Sequence, residues 1–190
     1  GGDQFSKVDV LIGYATGSQL TTGGSNVAVG HSAMGGDATG TALTGSNNTV
    51  LGYNAGYNME GSSSSNTIIG SSAGTAVNVA IGEAALSANA DDDNVAIGYG
   101  ALGVCTGADN VAIGKDAGNV IQTGSENTLV GYNVDVASAD NTNNVVLGNN
   151  LTATDKDNAV FIGNDTNHIE NDFNADATWN YSSDVRQKTE

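Results

Sequence analysis

The sequence predicts an all-β fold, a parallel β-solenoid of about ten short coils. An apolar triplet between an Asn and a Gly recurs along most of the 190-residue chain, and Gly, Ser, Thr, Asn and Asp fill the segments between triplets. The repeat is also too short to hold a pair of helices. We expect each coil to pair its strand with those above and below at about 4.8 Å, giving a rod roughly 45 Å long.

The repeat is clearest when its copies are aligned on the Gly that ends each triplet. Ten copies result, covering residues 9 to 163, with 12 to 22 residues between successive glycines. We expect these glycines to adopt positive φ, or to admit close backbone approach, where the chain turns. Those of the central copies are Gly30, Gly52, Gly70, Gly82, Gly98, Gly114, Gly131 and Gly148.

An Asn stands four residues before the Gly in eight copies. These residues are predicted to stack into a ladder along one edge of the solenoid, in which each side-chain amide bonds its neighbours. Asn also tolerates the left-handed backbone conformation at a corner. The positions are Asn26, Asn48, Asn66, Asn78, Asn94, Asn110, Asn127 and Asn144.

The triplet is apolar on both faces of its strand, because successive side chains alternate between faces. The third position is always a bulky aliphatic residue, as in Ile97, and is expected to point into the core. The middle position, as in Ala96, is expected on the opposite face, where a second copy of the chain covers it. A homo-oligomer follows, although the pattern does not distinguish two chains from three. In eight copies an apolar residue, such as Ala33, stands three places after the Gly, and this predicts a second short strand there.

Composition limits the classes of partner. The chain has 21 acidic and 5 basic residues, a formal charge of −16 that argues against nucleic acid and anionic membrane surfaces. Residues 90–94, ADDDN, could hold a calcium ion, but a solvated acidic loop is the favoured interpretation. His31 and His168 lack partners at ligand spacing and are predicted to be surface residues. No metal, cofactor or membrane insertion is predicted.

The phrase NVAIG-x-x-A resembles the head repeats of trimeric autotransporter adhesins, and the same style of repeat occurs in phage tail fibres. The resemblance covers residues 9 to 163. It implies a left-handed parallel β-roll in which three chains intertwine as a homotrimer. Both families are surface-adhesion proteins, so the resemblance is more specific for the fold than for the function.

The C-terminal stretch SSDVRQK, residues 182–188, resembles the opening of the endosialidase-type intramolecular chaperone domain of phage tailspikes and tail fibres. That domain begins with a Ser-Asp-x-Arg-x-Lys pattern, matched by Ser183, Asp184, Arg186 and Lys188. The resemblance implies self-cleavage of the Ser183–Asp184 bond, with Ser183 as nucleophile and Lys188 as base. The chaperone itself would follow residue 190 in a longer protein, so this chain is not expected to be an enzyme. A polar terminal tail is the alternative.

These observations predict two regions and one function. Residues 1–163 form the β-roll, and residues 164–190 form a cap or neck whose aromatic residues Phe173, Trp179 and Tyr181 could instead bind a receptor. The predicted function is a structural and adhesive segment of a phage tail fibre, located in the virion. It would attach to a host cell-surface receptor, a glycan or outer-membrane component, through loops 30–52 and 56–65. The alternative is the head of a trimeric autotransporter adhesin on a bacterial outer surface.

Overall fold

The computed structural model describes residues 8–35, 40, 42–57, 59, 61–74, 78–88, 91, 93–174 and 180–181. These residues contain no helix, and their twelve strands form one sheet in chain order. The strands are β1 Val10–Ile12, β2 Val27–Val29, β3 Thr49–Leu51, β4 Thr67–Ile69, β5 Asn78–Ile81, β6 Asn94–Ile97, β7 Val111–Ile113, β8 Thr128–Tyr132, β9 Val145–Asn149, β10 Ala159–Gly163, β11 His168–Asp172 and β12 Asn180–Tyr181.

Strands β1 to β10 pair in parallel, each with the next one along the chain. Equivalent triplet positions lie side by side, so that Ala80 pairs with Ala96 and Ala96 with Ala112. Between one strand and the next the chain passes once around the interior. The prediction of an all-β parallel solenoid is therefore confirmed.

The assignment of the two strand faces from the sequence was wrong. Ala96 and Ala112, at the middle triplet position, are completely buried in the core. The third position points outward instead, and Ile113 is 38% exposed. From β2 to β10 the middle triplet position is buried whether its residue is small or large, from Ala96 to Ile68 and Phe161. Residue size was therefore a misleading guide to burial.

The core is filled by size compensation between the two walls of the coils. In three of the four coils whose middle position is Ala, the fourth residue after the Gly is large and buried, as Leu102 is in the coil of Ala96. Where the middle position is Ile68, the fourth residue is Gly74, and a Cβ there would lie 2.7 Å from the Ile68 side chain. In the coil of Ala112 the fourth residue is Gly118, and the Leu102 side chain of the preceding coil lies 2.7 Å from where its Cβ would be.

The predicted second strand is not formed among the described residues. Ala33 lies in a turn between Ser32 and Met34, whose φ angles of 53° and 52° are left-handed and incompatible with a strand. Backbone bonds between coils nevertheless continue through this turn, because the Gly17 N–H donates to the Ala33 carbonyl at 3.0 Å. The second wall is thus a stack of hydrogen-bonded turns.

The parallel winding stops after β10. Strand β11 runs antiparallel to β10, with Gly163 paired to His168, and β12 runs antiparallel to β11. A tight turn at residues 164–167 joins β10 to β11. The chain therefore reverses direction at this end of the solenoid.

Candidate functional site

The Asn residues of the repeat form a continuous buried ladder. The Asn110 Oδ1 accepts from both the backbone N and the Nδ2 of Asn127, each at 3.0 Å. The Asn110 Nδ2 donates to the Gly124 carbonyl of the next coil at 2.9 Å. Since these amides point inward and are used in bonding, they hold the coils together and are not available to a ligand. In the shortest coil, the buried Asn78 Nδ2 has no partner among the described residues.

The repeat glycines lie where one coil touches the next. Gly98 has φ +137°, and a Cβ there would lie 2.4 Å from the Gly114 carbonyl oxygen. Both the backbone conformation and the lack of space therefore require glycine. Seven of the eight repeat glycines have φ between 137° and 143°; Gly148 lies outside this range, but its added Cβ would be 1.9 Å from the Gly163 oxygen.

The outer strand face, which we define as the first and third triplet positions of β1 to β10, is apolar and accessible. Ile12, Ile69, Ile113, Val130 and Ile162 are exposed, and most of the other members are half-buried. The third position is always aliphatic, whereas the first position is Thr in three strands and Val in the others. With a spacing of about 4.8 Å between strands and about 3.3 Å per residue, this face is roughly 43 Å long and 10 Å wide. An apolar patch of this extent marks an interaction surface.

The residue after each repeat Gly forms a column beside the outer strand face. Near its start, the His31 ring stacks between Tyr14 and Tyr53, with centroid separations of 5.2 and 5.3 Å. Tyr14 and Tyr53 are both exposed, so the column is a surface feature. His31 is therefore a surface residue, as predicted. The structure places His168 deeper, with its side chain 13% exposed between Phe161 and Glu170.

A similar arrangement recurs further along this column, with a Lys between two Tyr rings in place of the His. The Lys115 Nζ lies 5.5 Å from the Tyr99 centroid and 5.4 Å from the Tyr132 centroid. A hydrogen bond to Asp116 raises the pKa of Lys115 above its ordinary value. The column was visible in the sequence, since aligning the repeats on Gly also aligns the residue after it, but the prediction did not use that position.

Asp135 is a buried carboxyl group that the sequence analysis did not single out. It takes the fourth place after Gly131, a place filled in the seven preceding copies by Gly or a large apolar residue. Its oxygens accept from the backbone N–H groups of Val120 and Val136, both at 2.9 Å. Burial outweighs these bonds and raises the pKa of Asp135 to about 6. The group is a structural element with a pH-dependent charge.

A polar groove lies at the end of the parallel stack. It has a volume of about 390 Å³ and is lined by Asn149, Asn150, Asn164, Asp165, Thr166 and Asn167. All six residues are exposed. Aligning the repeats on Gly brings residues 149–150 beside 164–165, because Gly148 pairs with Gly163, but the turn at residues 164–167 that completes the groove has no counterpart in the repeat.

Several predicted sites fall outside the described residues: Ser183, Asp184, Arg186, Lys188, Trp179 and parts of the two predicted contact loops. Phe173 is described and 56% exposed. In the acidic segment, Asp91 and Asp93 are described, and no group of three or more His, Cys, Asp or Glu side chains in the described ranges is arranged to hold a metal ion. The described part of the chain also has no helix long and apolar enough to cross a membrane.

No protein-family model matches the chain, and no match was found among curated proteins or solved structures. Function is therefore argued from the surfaces of the molecule and from the sequence resemblance given above.

Proposed function

We propose that the chain is a structural and adhesive segment of a phage tail fibre and that it acts as a homotrimer. The observation that carries the proposal is the outer strand face, which is apolar along the whole parallel stack yet accessible in the single chain. Burial of apolar surface contributes about 25 cal/mol per Å², so contact between equivalent faces of neighbouring chains is strongly favourable.

A shared long axis follows from the shape of this face. The face is a straight stripe running perpendicular to its strands, since equivalent positions pair in register from coil to coil. Two or more copies can cover one another's stripes only if their long axes are roughly parallel. Three chains in a left-handed winding are proposed because the NVAIG-x-x-A phrase resembles repeats that assemble in this way.

The middle part of the column, at Tyr99 and Lys115, supports an interface along the same side of the molecule. Tyr is enriched in protein interfaces because it combines apolar area with a polar group. The column lies at the border of the outer strand face, next to Ile97 and Ile113. It would form a more polar margin around an apolar centre.

An adhesive role fits a stiff rod with repeated loops. A trimer would present three copies of each loop to a host cell surface, so weak contacts would add through avidity. The resemblance of residues 182–188 to a tail-fibre chaperone opening favours a place in the virion. Self-cleavage between Ser183 and Asp184 belongs to this proposal and would require the longer protein.

The head of a bacterial trimeric autotransporter adhesin is the second candidate, because NVAIG-x-x-A is equally typical of those heads. The coding sequence beyond residue 190 separates the two proteins. About 100 residues of helical chaperone would support the fibre, whereas a coiled-coil stalk with a membrane anchor would support the adhesin and contradict the fibre.

Attachment is tested by measuring binding of fluorescently labelled chain to a panel of bacterial strains by flow cytometry. We expect saturable binding to some strains, and at least tenfold weaker binding by an Ile97→Asp, Ile113→Asp double variant that cannot assemble. Val104→Asp is the matched control, since Val104 is exposed but lies away from the strands. Absence of binding to every strain, or equal binding by the double variant, would contradict the proposal.

A further inference from the structure

The polar groove at residues 149–167 is unlike the rest of the surface because its two walls come from different parts of the fold. One wall consists of Asn149, the last residue of strand β9, and Asn150, which follows it. The other wall is the turn at residues 164–167, where the chain reverses into β11. The reversal keeps the turn beside the preceding coil and leaves the groove between them.

The turn wall is held in one conformation by its own hydrogen bonds. The Asn164 N–H donates to the Asn167 carbonyl at 2.9 Å, and the Asn167 N–H donates back to the Asn164 carbonyl at 3.1 Å. The Asn164 Oδ1 also accepts from the backbone N of Thr166 at 3.0 Å. Such a closed turn loses little conformational freedom when a ligand binds.

The turn is also tied to the opposite wall. The Asp165 N–H donates to the Asn150 carbonyl at 3.1 Å, and the Asp165 Oδ1 accepts from the Thr152 N–H at 2.7 Å. The Asn150 Nδ2 donates to the Asn149 Oδ1 at 3.0 Å. The groove therefore has a fixed width, and its exposed groups are amides, one carboxylate and one hydroxyl.

An aromatic ring stands next to the groove. Tyr132 pairs in register with Asn149, so the two side chains are neighbours in the column that follows the repeat glycines. Lys115 covers one side of the Tyr132 ring. Tyr132 is 46% exposed, although it is not one of the six residues that line the groove. Its ring is an accessible apolar surface beside Asn149.

These features select a class of ligand. Amide groups donate and accept at fixed positions, which suits adjacent hydroxyl groups, and an open aromatic ring suits the C–H face of a pyranose. The groove residues include no Lys, Arg or His, and the chain carries a charge of −16, so anionic sugars are disfavoured. A single carboxylate is too few for a calcium site. We infer that this groove binds neutral saccharides.

The inference builds on the proposed attachment function, for which it names the chemical class of the receptor. It is tested by measuring binding of the full chain to an array of neutral oligosaccharides ending in glucose, galactose, mannose or N-acetylhexosamine, with sialylated oligosaccharides alongside. We expect binding to at least one neutral sugar and none to the sialylated ones. No binding to neutral sugars, or a preference for sialylated ones, would overturn the inference.

Variants place the binding at the groove. Asn149→Ala and Tyr132→Ala should each weaken binding to the same oligosaccharide at least tenfold. Asn143→Ala is the matched control: it is an exposed Asn outside the groove, bonded through its Nδ2 to Asn158 at 2.7 Å, and should leave binding unchanged. Equal binding by Asn149→Ala and Asn143→Ala would overturn the inference, provided that thermal unfolding shows both variants to be folded at the temperature of the assay.

Two further comparisons show whether the bound sugar is a cell-surface polysaccharide or a free sugar, and whether the attachment proposal can fail while the groove proposal stands. Tighter binding to immobilised polysaccharide than to the free oligosaccharide would indicate a multivalent cell-surface ligand, whereas equal binding would indicate a free sugar; both support a saccharide site. If wild type and Asn149→Ala attach equally well to bacterial cells, the groove is not the receptor site although attachment stands. If the wild type binds sugar but no cells, the attachment proposal fails and the groove stands.

Discussion

The inner side of the coils and the outer strand face differ in whether a single chain buries their apolar residues. The inner side is complete within one chain: Ala96 and Ala112 are fully buried and Asn110 is fully bonded. The outer strand face uses equally apolar residues, yet Ile113 remains 38% exposed. Each repeat therefore carries two apolar surfaces, of which the fold of a single chain satisfies one.

This difference shows that apolar pattern and burial are separate properties in a thin solenoid. The alternation of side chains along the strand decides which residues enter the coil: the middle triplet position does, whether it is Ala96 or Ile68. The apolar residues of the first and third positions are left for another surface, and the proposed trimer supplies that surface. The following changes test the two sides in order of expected effect.

The largest effect is expected from Gly98→Ala. Its Cβ would meet the Gly114 carbonyl oxygen at 2.4 Å and would also require φ near +137°. We expect a loss of more than about 4 kcal/mol in the free energy of unfolding, measured by urea denaturation, or failure to fold. Gly61→Ala is the control, because nothing lies within 4 Å of its added Cβ; it should cost about 1 kcal/mol. Similar costs for both would show that coil contact at Gly98 is unimportant.

Asn110→Ala should have the next largest effect. It removes the acceptor of two Asn127 donors and the donor to the Gly124 carbonyl, all of them buried. Leaving these groups unpaired should lower the free energy of unfolding by about 3 to 5 kcal/mol. Asn143→Ala, at an exposed site where φ is 54°, should lower it by only about 1 kcal/mol. A small effect at Asn110 would contradict the ladder as the main source of cohesion between coils.

Asp135→Asn tests how a buried carboxyl group on the inner side makes stability depend on pH. Since burial raises the pKa of Asp135 from 3.8 to about 6, the folded chain keeps this proton to a higher pH than the unfolded chain. Its stabilising effect is therefore present below about pH 4 and is lost as pH rises through 6, by about 3 kcal/mol in total. The wild type and Asp135→Asn should match near pH 3.5, with the variant more stable at pH 7. Parallel pH profiles would contradict this.

Ile113→Ala probes the outer strand face and should have the smallest effect. If a neighbouring chain covers Ile113, the loss in stability should be about 2 kcal/mol, measured by thermal or urea unfolding at fixed concentration. Val104→Ala, exposed but away from the strands, should change stability by less than about 0.5 kcal/mol. Equal small effects would mean that the outer face stays in contact with water.

The sequence was sufficient for the architecture but not for the orientation of its strands. Recurrence of the Asn–triplet–Gly phrase predicted parallel stacking, because residues with the same surroundings repeat. It did not predict which face is inside, since Ala96 and Ile97 are both apolar. The prediction of a second strand was wrong for a different reason. Ser32 and Met34 adopt left-handed φ angles although neither is glycine, and their residue types give no sign of this.

The candidate sites likewise differ in how far the sequence could predict them. Tyr99, Lys115 and Tyr132 share one repeat position, so their column could have been found from the alignment. The groove could be found only in part: the parallel register that pairs Gly148 with Gly163 brings residues 164 and 165 beside 149 and 150. The turn that closes residues 164–167 interrupts the repeat and leaves no periodic signal.

Sedimentation equilibrium of the wild-type chain in solution is the most direct test of the central claim that copies of this chain cover the outer strand face. The account predicts a mass three times the chain mass of 19.0 kDa at micromolar concentration, reduced to a single chain by Ile97→Asp with Ile113→Asp. A folded monomer of 19.0 kDa in the wild type would contradict it.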